Sequence, residues 1–94
     1  MKVTFTPQSL RDMRAIGDYI AADNPKRALT FVADLRVTCE ALATTSDRYP
    51  LFGSRGYRRM PFGNYLIFYQ RVQATIRVVR VIHSARDMRD SDFD

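Results

Sequence analysis

Ninety-four residues with a formal net charge of +5 suit one small domain, whose core buries roughly two-thirds of the surface its unfolded chain exposes. A composition of 46% apolar and 27% charged residues, with four Gly and four Pro, excludes disordered and fibrous classes. The longest unbroken apolar run, Tyr65 to Tyr69, is far short of a membrane span, and the lone Cys39 excludes an internal disulfide or a cysteine-rich metal site.

The chain opens on an alternating strand over 1–6, with Val3 and Phe5 on one face. No signal-peptide core precedes it, so a cytoplasmic protein is expected. Thr6-Pro7 joins an N-cap to a proline at the first helical position. Leu10, Met13, Ile16 and Ile20 then recur at helical spacing, predicting a helix over 7–22. Asp23-Asn24-Pro25 ends it and caps the next. Ala28, Val32, Leu35, Cys39 and Leu42 form a one-sided stripe that predicts a second helix over 25–44, folded back on the first as a hairpin. Cys39 lies inside that stripe and is expected to be a buried, inert thiol.

Residues 45–56 are expected to be loop, and Gly53-Ser54-Arg55-Gly56 lacks both the spacing and the Lys of a phosphate loop. The period then changes to two. Tyr57–Phe62, Tyr65–Arg71 and Thr75–His83 predict a three-stranded antiparallel sheet over 57–83, joined by a type II′ turn at Gly63-Asn64 and a second turn at Val72-Gln73-Ala74. An acidic tail, 84–94, follows. The fold class is α+β, in the order β-α-α-β-β-β, a helical hairpin packed on a small, mostly antiparallel sheet within one domain spanning 1–94.

Both faces of that sheet read as apolar. Tyr65, Ile67 and Tyr69 oppose Leu66 and Phe68 on the middle strand, and Ile76, Val78 and Ile82 oppose Val79 and Val81 on the last. A half-solvated sheet alternates apolar with polar residues, and two helices cover one face only. The other face is expected to be filled by another chain, or by the 45–56 loop and the tail curling over it.

Charge is segregated along the chain. Residues 1–47 carry six bases and six acids, residues 48–86 carry eight Arg and no acid, and residues 87–94 carry Arg89 against four Asp. Arg58, Arg59, Arg77, Arg80 and Arg86 therefore read as a basic surface for nucleic acid or an acidic partner. His83 is the residue whose ordinary pKa lies near neutrality. With Arg86 and one of Arg58 or Arg59 it supplies a base and phosphate-stabilising cations for RNA cleavage through the 2′-hydroxyl. A second acid–base group is missing, and no metal site or cofactor is indicated.

Four blocks carry a resemblance: Leu10-x-x-Met13-x-x-Ile16-x-x-Tyr19-Ile20-Ala21 with Asp23-Asn24-Pro25; Pro50-Leu51-Phe52-Gly53; Arg58 through Tyr69; and Arg80-Val81-Ile82-His83-Ser84-Ala85-Arg86-Asp87. In this order and spacing the chain resembles toxins of the RelE/ParE superfamily of bacterial type II toxin–antitoxin systems, ParE more than RelE. The resemblance implies the fold derived above and a cognate, ParD-like antitoxin forming a hetero-oligomer and carrying most of the DNA contact. It implies an antitoxin-binding apolar face of Tyr57, Phe62, Tyr65, Ile67, Tyr69, Val79 and Val81. As to activity, it implies growth inhibition by poisoning DNA gyrase, which names no catalytic residue. Alternatives are a ribosome-dependent mRNA endonuclease of RelE type, using His83, Arg86, Arg58 and Arg59, and a non-toxic antitoxin-binding module. Phe93 has no hydroxyl to serve as the C-terminal acid–base group of the endonucleases.

Overall fold

The computed structural model describes residues 1–93. Strand β1 (Lys2–Phe5) leads into helices α1 (Pro7–Ala21) and α2 (Pro25–Glu40), a short helix α3 (Leu42–Thr45) and a 3-10 turn over Ser46–Arg48. Strands β2 (Leu51–Phe52), β3 (Tyr57–Phe62), β4 (Tyr65–Val72) and β5 (Thr75–His83) follow, and a second 3-10 turn covers Asp90–Phe93. The five strands form one sheet in the order β1-β5-β4-β3-β2, antiparallel except where β1 lies parallel to β5. The α+β architecture and the helical hairpin are as the periodicity predicts. The sheet is larger by two strands, because β1 joins its edge and part of the expected 45–56 loop pairs with β3.

Caps set the helix ends. The Thr6 hydroxyl accepts the Ser9 N–H at 3.0 Å and donates to the Val79 carbonyl at 3.0 Å, so one side chain starts α1 and ties it to the sheet. Asn24 caps α2 through the Arg27 N–H at 3.0 Å. Helix α2 stops at Glu40, short of the expected 44. The Thr45 hydroxyl takes the Ala41 carbonyl at 3.0 Å and the Thr44 N–H binds the same carbonyl at 3.2 Å, tightening the chain into α3. At the hairpin turn Gly63 has φ +56°, as a type II′ turn requires. The next turn puts Gln73 at φ +57°, a conformation its side chain does not advertise.

The helix-side core joins Met13, Ile16, Leu35, Cys39 and Leu42 to Met60, Ile67, Tyr69, Ile76, Val78 and Val81. Strict alternation puts Ile82 with Val78 and sets Val81 opposite, and the structure corrects this. Phe68 pairs with Arg80 but Tyr69 pairs with Val78, so Val79 is the extra residue of a β-bulge. Beyond it the parity of β5 flips: Val81 faces the helices, and Val79 and Ile82 face outward.

The outer face is covered by the chain itself. Tyr57, Phe68, Val79 and Ile82 are buried beneath Phe52, Leu66, Met88 and Phe93. A face left open for another chain is thus corrected to one closed by β2 and the tail, whose two apolar side chains supply the missing cover.

Candidate functional site

The bulge on β5 creates an electrostatic site. Strand β1 ends at Phe5, so the edge of β5 beyond Val78 lacks a pairing strand and α1 passes alongside. Asp12 on α1 fills the gap. Its carboxylate accepts the Val81 N–H at 2.9 Å and a bidentate pair from Arg80, Nε at 2.8 Å and Nη2 at 3.1 Å. Both side chains are largely buried, at 15% and 10% exposure. Arg80 therefore belongs to the frame of the molecule, compensated by an acid 68 positions earlier, rather than to a free basic surface.

The other bases are dispersed. Arg58 donates to the Tyr49 carbonyl at 2.6 Å and holds the loop before β2. Arg59 lies over the Phe52 ring at 5.5 Å on the outer face. Arg77 borders a hollow of about 350 Å³ together with Arg11, Asp92 and Phe93. His83 and Arg86 are exposed at the far end of β5. His83 Nδ1 accepts the Ala85 N–H at 3.1 Å, and the imidazole meets the Tyr65 ring at 5.4 Å. Along β4, Tyr65 pairs with His83 while Tyr69 pairs with Arg58. Four residues of strand separate these partners, about 14 Å at the usual rise. His83 and Arg86 share a concave end of the molecule with Tyr19 and Tyr65, and Arg58 and Arg59 are elsewhere.

The seven residues expected as one apolar face do not share a face. Ile67, Tyr69 and Val81 lie in the helix-side core, with Phe62 and Tyr65 packed at its margin, while Tyr57 and Val79 lie on the outer face under the tail. Burial pushes the Tyr69 phenol up to about 12 against the pull of Arg58, and its hydroxyl donates to the Ser46 carbonyl. Burial likewise pushes the Cys39 thiol up to about 12, which suits an inert core side chain. Among the described residues no group of three His, Cys, Asp or Glu is placed to hold a metal ion, and no helix is long and apolar enough to cross a membrane.

The open apolar surface is instead on the helical hairpin. A groove of about 810 Å³ runs between α1 and α2 on the side away from the sheet, floored by Gly17, Ala21, Ala28 and Val32. Leu10 and Leu29 rise at its sides, and Leu29 is 76% exposed. Arg14, Asp18 and Arg36 supply charge along it. Its signal in the sequence is faint: Leu10 reads as part of the core stripe, and Leu29 lies off the stripe of α2, where a single apolar residue is ordinary.

A two-helix hairpin packed on a five-stranded, mostly antiparallel sheet defines the fold class of this chain. The model of the family described as "ParE toxin of type II toxin-antitoxin system, parDE" matches residues 3–88, and the chain belongs to that family. Among solved structures it is similar to a chain of the chromosomal ParDE system of P. aeruginosa, with TM-score 0.77 and 19% identity over 88% of this chain and 95% of that one. It is also similar to a chain of the toxin–antitoxin complex RelBE2 from Mycobacterium tuberculosis, with TM-score 0.56 and 22% identity over 87% and 95%. At these identities the likeness establishes the shared fold. No curated protein sequence matches the chain.

Proposed function

We propose that this chain inhibits growth by poisoning DNA gyrase in the cytoplasm, and that a ParD-like antitoxin neutralises it in a hetero-oligomer. The family match over 3–88, which takes in the hairpin and all of the sheet but Lys2, carries the reading. The solved relatives are titled as a ParDE system and a RelBE2 complex, which supports an antitoxin partner. An amphipathic antitoxin segment suits the α1/α2 groove, where apolar anchors at helical spacing meet an apolar floor. Neither gyrase poisoning nor RNA cleavage by this chain calls for a cofactor.

The separation of His83 and Arg86 from Arg58 and Arg59 weighs against the mRNA endonuclease, since general acid–base catalysis needs its groups within hydrogen-bond reach of one reacting phosphate. The deciding experiment adds purified chain to gyrase and supercoiled plasmid. The expected result is gyrase-dependent accumulation of cleaved DNA that His83→Ala retains. Unchanged supercoiling and cleavage, with mRNA cut within codons and that cutting lost in His83→Ala, would overturn the reading in favour of the endonuclease. A chain that does neither is an antitoxin-binding module alone.

A further inference from the structure

The tail is seated by shape and charge together. The Phe93 ring meets Tyr57 at 4.9 Å, Phe68 at 5.0 Å and Phe52 at 6.0 Å between centroids. Three positions earlier, the Asp90 carboxylate accepts the Ser54 N–H at 2.8 Å and the Ser54 hydroxyl at 3.3 Å. These bonds, the backbone one first, and the nearby Arg55 hold the Asp90 carboxyl below its usual value. The receiving loop is shaped for this acid. Gly53 has φ +72°, and a Cβ there lies 2.5 Å from an Asp90 carboxylate oxygen. Asp92 and Phe93 border the hollow that Arg11 and Arg77 line. In the sequence, residues 87–94 carry four Asp and residues 48–86 eight Arg and no acid.

This seat reads out a chemistry: an aromatic ring for the Phe52–Tyr57–Phe68 hollow and carboxylates for the 53–54 loop and the arginines around it. We propose that the outer face of the sheet is a binding site for an acidic peptide with an aromatic anchor, and that the chain's own tail occupies it in cis until such a peptide displaces it. Among the described residues the tail packs two apolar side chains, Met88 and Phe93, against the sheet, so it belongs to the segments that open locally at low cost. Because it is tethered, its effective concentration is on the order of millimolar, and it masks the site against weak competitors while yielding to a stronger one. The site is distinct from the α1/α2 groove, on the opposite side of the sheet, and the proposal does not rest on the identity of the toxin's target.

The test uses the full chain and a fluorescein-labelled peptide of its own residues 86–94. The peptide is expected to bind Phe93→Ala at least tenfold more tightly than the intact chain, and to lose that binding at 0.5 M salt or when its own Phe is replaced by Ala. Asp90→Asn, which alters only an exposed loop contact, should give an intermediate gain and serves if Phe93→Ala fails to fold. Equal binding to intact and variant chains, or none to a folded variant, overturns the proposal. So does a single-stranded oligonucleotide that binds the opened variant more tightly than the peptide, because the face would then be a nucleic-acid surface.

Discussion

Asp12 holds α1, the bulge of β5 and Arg80 in register with one carboxylate. Replacing it by Ala leaves the Val81 N–H without an acceptor at a strand edge and Arg80 charged in a largely buried place. Removing one partner of a buried ion pair costs several kcal/mol because the other is stranded. Asp12→Ala is therefore expected to lower unfolding stability by about 3 kcal/mol, read as a drop in the urea midpoint at unchanged slope. Asp12→Asn keeps an acceptor for the N–H and should cost less. None of this is legible locally. In the sequence Asp12 is one of six acids balanced by six bases in residues 1–47 and Arg80 one of eight Arg in a segment without acids, and their pairing depends on where α1 crosses the sheet. Cys39 is the opposite case, since its place in an apolar stripe already marks a buried thiol.

Among the elements, the hairpin helices and the three main strands follow from spacing and caps, which are local. The short pieces do not. β2 has two residues, too few for periodicity to register, and it exists because Leu51 and Phe52 find Arg58 and Tyr57 as partners. The bulge at Val79 is likewise decided by both neighbours of β5, since β1 ends beside it and β4 continues. The tail is an element in the same sense, with Gly53 as its socket. Gly53→Ala adds a Cβ at a positive φ and against Asp90, which costs of order 1–3 kcal/mol in backbone strain alone. The expected outcome is an undocked tail on an otherwise folded domain, seen as faster tryptic cleavage after Arg86 and Arg89 with the core helices and strands still protected from hydrogen exchange.

Across the whole molecule, partner surfaces trade places. Alternation along the strands points to an open sheet face, whereas the closed sheet leaves the outer groove of the hairpin as the apolar surface in solvent. Leu29 is exposed there, so Leu29→Asp should leave folding unchanged. It should weaken antitoxin binding at least tenfold, as loss of an interface anchor typically does, measured by calorimetry with the cognate antitoxin. Unchanged affinity would move that contact off the groove. The amino-acid sequence by itself determined the α+β class, the hairpin, the main strands and the separation of a basic sheet from an acidic tail, because periodicity, caps and charge are properties of neighbouring residues. Only the tertiary structure decided that Arg80 is paired, that His83 and Arg58 stand apart, and that the tail closes the second face. Each of these is a distance between residues far apart in the chain, set by how the helices cross the sheet and where its strands end.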